Sequence, residues 1–271
     1  MCVHRQRESI HVRRGLCHAV TTIGGDGHFA AAEQVPTHIE EGTTTMRVQT
    51  RSVSALLAAA AVTAAGMLLG WSPPASAEPC SDVEVVFARG TTERPGAGSV
   101  GNAFTDALRS QVGDKTVGLY PVSYPANHDW PTSVIGVNDA GNRIRQLAAD
   151  CPDTKVVLGG FSQGAAVAQL VTADAPAIPP NSFAFGTTTP LDPDVAGHVD
   201  AVVLFGKPND RFLFLIGQPY VPVGSAFAAK TLDLCAVNDP ICSGGLDPVA
   251  HNLYTANGMV TEAAGFAAAR V

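Results

Sequence analysis

The stretch that decides the fold is KVVLGGFSQG, residues 155–164, in which a short apolar run passes through two glycines to a serine and a third glycine. Residues 155–159 are mostly apolar and β-branched, as expected of a strand that is covered on both faces. An apolar stretch typical of a helix, 165–173, follows directly. A buried strand that turns sharply into a helix is the repeating unit of a parallel α/β sheet, so these residues predict that class of fold.

Further strands and helices alternate on both sides of this unit. The helix predictions rest on apolar residues at helical spacing, as with Val100, Phe104 and Leu108. Because parallel strands are joined by right-handed crossovers, the pattern predicts a three-layer αβα sandwich with about five parallel strands. Its ligand crevice is expected beyond the carboxyl ends of the strands. The other predicted strands are 83–88, 116–124, 200–205 and 231–234, and the other predicted helices are 99–112, 131–149 and 261–270.

The first 77 residues have the pattern of an export signal rather than of a folded domain. An apolar run, Val53–Trp71, follows Arg47 and Arg51 and ends in a small-residue site at 75–77. We therefore expect a leader that is mis-assigned or disordered over 1–45, a signal peptide over 46–77 and one domain over 78–271. The alternative is an uncleaved membrane anchor, and the N-terminus of the mature protein would separate the two. The expected location is outside the cell or attached to its wall.

The composition agrees with one folded domain and excludes some classes of function. Hydrophobic residues make up 46% of the chain and charged residues 15%, which rules out wholesale disorder. The 17 Lys and Arg residues are outnumbered by 24 Asp and Glu residues, for a net charge of −7. A general nucleic-acid binder would show a basic excess, so we expect no nucleic-acid partner.

Four cysteines follow the predicted cleavage site, and an even number in an exported chain indicates disulfides. Four cysteines allow three pairings. Cys235 and Cys242 enclose a short loop and are expected to pair, which leaves Cys80 for Cys151. Their spacing does not match the paired-cysteine pattern of zinc sites, so no metal is expected.

The segment Gly160-Phe-Ser162-Gln-Gly164 is a G-x-S-x-G motif in the strand–turn–helix context that a nucleophilic serine requires. A serine hydroxyl needs a base, and a histidine base needs an orienting carboxylate, in the chain order Ser, Asp, His for this fold. His251 follows the fifth predicted strand and lies at the correct edge of the sheet. His198 precedes the fourth strand, at the opposite edge, and is expected to be a surface residue.

The carboxylate has three candidates after the fourth strand. We prefer Asp239, since it lies just past the fifth strand inside the loop that Cys235 and Cys242 would close, and such a loop holds a carboxylate rigidly. Asp233 is expected to be a solvated strand residue and Asp247 a turn residue.

An oxyanion hole needs hydrogen-bond donors on the sheet edge that carries the serine and the histidine. The N–H of Gln163, directly after the serine, supplies one donor. Thr91, in the loop after the first strand, is the candidate for the second, through its N–H and its hydroxyl.

Three motifs together resemble the cutinase family, and most closely its secreted mycobacterial and actinobacterial members: FARGT at 87–91, GFSQG at 160–164, and Cys235-x3-Asp239-x2-Cys242 followed by His251. The resemblance covers residues 79–271. It implies an α/β-hydrolase fold without a large lid, ester hydrolysis by Ser162, Asp239 and His251, and an oxyanion hole formed by Thr91 and Gln163. It also implies the disulfides Cys80–Cys151 and Cys235–Cys242. The family often has serine at the position of Thr91.

The hypothesis is therefore a secreted serine esterase that acts through an acyl-enzyme on lipid-like or polyester substrates of short to medium acyl chain. It requires no cofactor, and we expect a monomer. The alternatives are an acetyl-ester deacetylase of polysaccharides and a catalytically silent, wall-associated binding protein. An apolar stretch, 212–216, is interpreted as a loop that packs structurally or forms an acyl wall or a transient lipid-surface contact. The loop 124–130, with His128 and Trp130, is a second candidate wall.

Overall fold

The strongly apolar strands predicted above form one parallel sheet in the computed structural model, which describes residues 80–177 and 185–271. The predicted α/β class and the number of strands are confirmed. The strands are β1 Val83–Ala88, β2 Val117–Pro121, β3 Lys155–Phe161, β4 Val199–Phe205 and β5 Thr231–Leu234. Their spatial order is β2-β1-β3-β4-β5, and all neighbouring pairs run parallel.

Helices cover both faces of the sheet, which gives the predicted three layers. The α-helices of the described residues are α1 Gly98–Arg109, α2 Ser133–Asp150, α3 Gln163–Val171, α4 Pro193–Gly197, α5 Asp210–Leu215 and α6 Met259–Ala268. One core cluster, around Ile144, Leu158 and Val167, lies between the sheet and the helices α2 and α3. The other, around Phe104 and Ala263, lies between the sheet and the helices α1 and α6.

The prediction that the stretch 212–216 is a loop was wrong for its first four residues, 212–215, which belong to α5, while Ile216 caps the C-terminal end of this helix. The helix begins after Asn209, whose side-chain oxygen accepts the N–H of Phe212 at 2.8 Å. This side chain is a helix N-cap, and it fixes a helix of six residues. A helix so short spans less than two turns, so the sequence has no room to show helical periodicity.

The second strand ends at Pro121 rather than at residue 124. Beyond that point the carbonyls of Val122, Tyr124 and Pro125 accept hydrogen bonds from the guanidinium of Arg89 instead of from a neighbouring strand. The chain therefore leaves the sheet edge earlier than its apolar residues suggest.

Two disulfides brace the described domain. The bond Cys80–Cys151 ties the start of the domain to the end of α2, and Cys235–Cys242 closes the loop after β5. The predicted leader and signal peptide lie outside the described residues. Over 80–177 and 185–271, none of the helices has the length and apolar character needed to cross a membrane.

Candidate active site

Ser162 occupies the sharp turn between β3 and α3. Its backbone has φ 54° and ψ −119°, a strained conformation for a residue with a side chain. The turn leaves no space for side chains on the two flanking glycines: a Cβ at Gly160 would lie 2.1 Å from the carbonyl oxygen of Gly164, and one at Gly164 would lie 2.0 Å from that of Ala88. The two glycines of the motif are therefore steric requirements of the turn that presents the Ser162 hydroxyl.

His251 joins Ser162 to Asp239 across a long stretch of sequence. Its Nε2 lies 2.8 Å from the Ser162 Oγ, and its Nδ1 lies 2.7 Å from Oδ2 of Asp239. Since an ionised carboxylate only accepts, Nδ1 carries the proton and Nε2 is free to accept the serine hydroxyl hydrogen. The ring of Phe161 stacks on the imidazole, with the ring centres 4.9 Å apart. The structure thus brings the three predicted residues into one hydrogen-bonded chain.

Asp239 is fully buried inside the loop closed by Cys235–Cys242. Burial alone would raise the pKa of this carboxyl. Hydrogen bonds from His251, from the Tyr254 hydroxyl at 2.7 Å and from the Ile241 N–H at 2.8 Å outweigh that effect, and the pKa lies below its ordinary value. The site therefore keeps Asp239 ionised.

Tyr254 is part of this site although sequence reasoning missed it. Its side chain is fully buried, and its hydroxyl donates to the same oxygen of Asp239 that binds His251, while accepting the N–H of Ala236 at 3.0 Å. Burial raises the pKa of Tyr254 well above its ordinary value, so the hydroxyl stays protonated. The only sequence signal was a tyrosine three residues after the candidate histidine, which by itself specifies no contact.

The candidate oxyanion donors are Gln163, directly after Ser162, and Thr91, in the loop after β1. Within the described residues, the backbone N–H groups of Thr91 and Gln163 donate to no protein acceptor. The N–H of Gln163 belongs to the first turn of α3, where N–H groups have no partner within the helix. The Thr91 hydroxyl lies 3.3 Å from Oε1 of Gln163, so the two residues are in contact.

Arg89 fixes the loop that carries Thr91, and sequence reasoning also missed it. Its guanidinium is buried and donates to four backbone carbonyls, including that of Glu93 at 2.9 Å, while the Tyr124 hydroxyl donates back to the carbonyl of Arg89. The Glu93 carboxylate in turn accepts the N–H groups of Gly90 at 2.6 Å and Ser99 at 2.8 Å. This network holds the loop against the start of α1.

The residues weighed as alternatives to His251 and Asp239 lie outside this hydrogen-bonded chain. His198 directly follows α4, at the amino end of β4. Asp233 pairs with Lys207 at 3.2 Å, and Asp247 accepts the N–H of Val249 at 2.9 Å in its own turn. In the two described ranges, no three His, Cys, Asp or Glu side chains gather as metal ligands.

A parallel α/β sheet that presents a serine on a strained turn, next to a histidine and a buried aspartate, is the arrangement of the α/β hydrolases. The family model described as Cutinase matches residues 79–271, and the chain belongs to the cutinase family. It is accordingly an ester hydrolase.

Relatives and solved structures agree with this assignment. The chain is 50% identical to a probable carboxylesterase, Culp5, of Mycobacterium tuberculosis, over 62% of this chain and 95% of that protein. It is 47% identical to the phospholipase Culp4 of the same organism, over 79% of this chain and 90% of that protein. Trichoderma reesei cutinase in complex with a phosphonate inhibitor has a TM-score of 0.52 and 36% identity, covering 70% of this chain and 76% of that one.

Proposed function

We propose that Ser162, His251 and Asp239 are the catalytic triad of a carboxylic-ester hydrolase that acts on lipid-like or polyester substrates of short to medium acyl chain. The observation that carries this proposal is the continuous chain of hydrogen bonds, 2.8 Å from Ser162 to His251 and 2.7 Å from His251 to Asp239. Nucleophile, base and orienting acid are thereby within the reach that acyl transfer needs.

In the proposed reaction, His251 takes the hydroxyl proton as Ser162 Oγ attacks the ester carbonyl carbon. The N–H groups of Gln163 and Thr91 donate to the oxyanion of the tetrahedral intermediate. His251 then gives its proton to the leaving alcohol, and an acyl-enzyme remains. Water, deprotonated by His251, attacks the acyl carbonyl, and the acid leaves as Ser162 regains its proton. Asp239 stays ionised throughout and stabilises the imidazolium.

We propose that the acyl chain runs away from the serine along α3. Ser162, Ala166 and Leu170 follow one another at single-turn intervals and are partly exposed, while the residues between them are buried. Ala166 and Leu170 line a largely apolar pocket that Trp130 and Leu213 also line. Eight residues of helix extend about 12 Å, which supports a chain of several carbons rather than an acetyl group alone.

Acyl-chain length tests this substrate class. Burial of each methylene is worth about 0.8 kcal/mol, so kcat/KM for p-nitrophenyl esters should rise roughly fourfold per methylene from C2 to a maximum at C4–C8. Ala166→Phe fills the path and should move the maximum to C2–C4. The control is Ala229→Phe, an exposed residue next to the amino end of β5, at the opposite sheet edge, and it should leave the profile unchanged. A sharp wild-type maximum at C2 would contradict the proposal and favour an acetyl-ester hydrolase.

Exposed apolar side chains form a rim on two segments, α5 and the turn region that precedes His251. Phe214 is 83% exposed, Leu215 70%, Leu246 86% and Val249 60%. Leu215 and Leu246 line a common groove, so the two segments are neighbours. Large apolar side chains grouped in this way are typical of surfaces that meet an apolar partner. We propose that this rim makes transient contact with a lipid surface.

The variant Phe214→Ser/Leu246→Ser should bind phosphatidylcholine vesicles at least tenfold more weakly than the wild type. The variant lacks two large apolar side chains, and burial of each in the lipid interface contributes about 1.5–3 kcal/mol to the free energy of binding. Vesicle co-sedimentation measures the binding. The internal control is hydrolysis of a water-soluble C4 ester, whose kcat should change less than twofold. Unchanged vesicle binding would refute the role of the rim.

A further inference from the structure

We infer that Tyr254 is a positioning residue of the hydrolysis: its buried hydroxyl holds the Asp239 carboxylate in the orientation in which Oδ2 receives the hydrogen of His251. This inference rests on the proposed function, since it concerns the same reaction. It goes further by assigning a role in turnover to a fully buried residue that the substrate does not touch.

The direction of each hydrogen bond at the Tyr254 hydroxyl follows from its three neighbours. The backbone N–H of Ala236, 3.0 Å away, can only donate, so the hydroxyl oxygen accepts from it. The Sγ of Cys242, 3.3 Å away, is part of the disulfide and carries no hydrogen. The hydroxyl hydrogen therefore goes to Oδ2 of Asp239, at 2.7 Å, because an ionised carboxylate is a far stronger acceptor than a disulfide sulfur.

This bond fixes the rotation of the Asp239 carboxylate. A carboxylate that is held through one oxygen can still turn about the bond that joins it to Cβ. Here Oδ1 accepts the N–H of Ile241 at 2.8 Å, and Oδ2 accepts the Tyr254 hydroxyl. With both oxygens held, Oδ2 lies 2.7 Å from Nδ1 of His251 before any substrate is bound. A partner that is preorganised in this way stabilises the imidazolium without rearrangement during the reaction.

The ring of Tyr254 is itself held in place. Its side chain is fully buried and packs edge-on against Phe205 at the end of β4, with the ring centres 6.1 Å apart. The ring of Phe161, at the end of β3, lies 5.6 Å from it. A Cβ at Gly206 would lie 2.9 Å from the hydroxyl oxygen, so glycine leaves room for the hydroxyl there. Residues at the ends of two neighbouring strands thus set the position of the hydroxyl.

A double-mutant cycle in the full-length protein tests the inference. Tyr254→Phe keeps the ring and should lower kcat about 10- to 30-fold, the worth of one hydrogen bond to a charged group, with KM changed less than about twofold. In the background of Asp239→Asn, the same change should lower kcat less than about twofold, because Tyr254 acts only through that carboxylate. The matched control is Tyr120→Phe, which also removes a tyrosine hydroxyl bonded to a carboxylate, that of Asp139 at 3.1 Å. This control should leave kcat within about twofold of the wild type.

A merely structural role gives a different pattern. If Tyr254 only packs the loop around His251, Tyr254→Phe would lower kcat by the same factor in the wild type and in the background of Asp239→Asn. Such additive losses would overturn the inference. A kcat of Tyr254→Phe that stays as close to the wild type as that of Tyr120→Phe would overturn it as well.

A measurement on the wild type tests the inference independently, should Tyr254→Phe fail to fold. A hydroxyl hydrogen that is shielded from water gives its own proton NMR signal, and labelled tyrosine assigns that signal to Tyr254. A boronic acid that binds Ser162 as a mimic of the tetrahedral intermediate leaves the imidazole charged, and the charged ring draws negative charge from the shared Oδ2 of Asp239. The Tyr254 signal should then move upfield, and an unchanged signal in the bound complex would overturn the inference. Failure of the proposed function would appear separately, as turnover that does not depend on Ser162.

Discussion

Replacement of Ser162 by alanine is expected to lower kcat for a C4 ester by about 10⁶-fold, the loss seen when the nucleophile of a triad enzyme is removed. The Ser162 Oγ lies on the strained turn after β3, 2.8 Å from Nε2 of His251. Without it no acyl-enzyme forms. Residual turnover would come only from water positioned by the remaining groups. Steady-state hydrolysis of the p-nitrophenyl ester measures the effect.

The fold should survive this change, because the serine side chain bonds only to His251 among the described residues. The matched control is Ser123→Ala, at an exposed serine just after β2, which should change kcat less than twofold. A fluorophosphonate probe should label the wild type and the control but not Ser162→Ala. Retained turnover or labelling in Ser162→Ala would contradict the proposed nucleophile.

Replacement of Asp239 by asparagine should lower kcat by about 10⁴-fold, as loss of the orienting carboxylate does in other triads. The Oδ2 atom accepts from both His251 and Tyr254, and an amide cannot accept these bonds while its NH₂ group faces either donor. The imidazole then loses the partner that keeps the proton on Nδ1 and stabilises its charged form. Hydrolysis of the same ester measures the loss.

Two matched controls separate the role of Asp239 from a general loss of negative charge. Asp247→Asn keeps an acceptor for the Val249 N–H, and Asp233→Asn removes only the ion pair with Lys207. Both should keep kcat within about threefold of the wild type. A loss of 10³-fold or more in either variant, or a loss below tenfold in Asp239→Asn, would contradict the assignment.

Asp239→Asn should also change how the stability of the protein depends on pH. The pKa of Asp239 is lower in the folded protein than in the unfolded chain, so the ionised carboxylate stabilises the fold above its unfolded pKa. That contribution is lost as the pH falls towards the folded pKa. The Tm of the wild type should therefore fall more steeply below about pH 4 than the Tm of the variant.

Local sequence was sufficient wherever a position is specified by its immediate neighbours. The strand–turn–helix at 155–173 predicted the α/β class, since a buried strand that turns directly into a helix is the repeating unit of a parallel α/β sheet. The glycines around Ser162 marked it as the proposed nucleophile because the turn excludes side chains at both positions. The short span between Cys235 and Cys242 singled out Asp239, and the position of His251 after the fifth strand, at the correct sheet edge, singled out this histidine over His198.

Only the tertiary structure decided which side chains support these residues. Tyr254 reaches Asp239, Gln163 reaches Thr91, and Arg89 reaches carbonyls more than thirty residues away, each through a contact between segments that are distant in sequence. A polar residue in a sequence does not reveal whether it will be buried or which partner will satisfy it. Burial and partners are set when the sheet brings its loops together. For that physical reason the proposed triad could be predicted from the sequence, while the network that holds it could not.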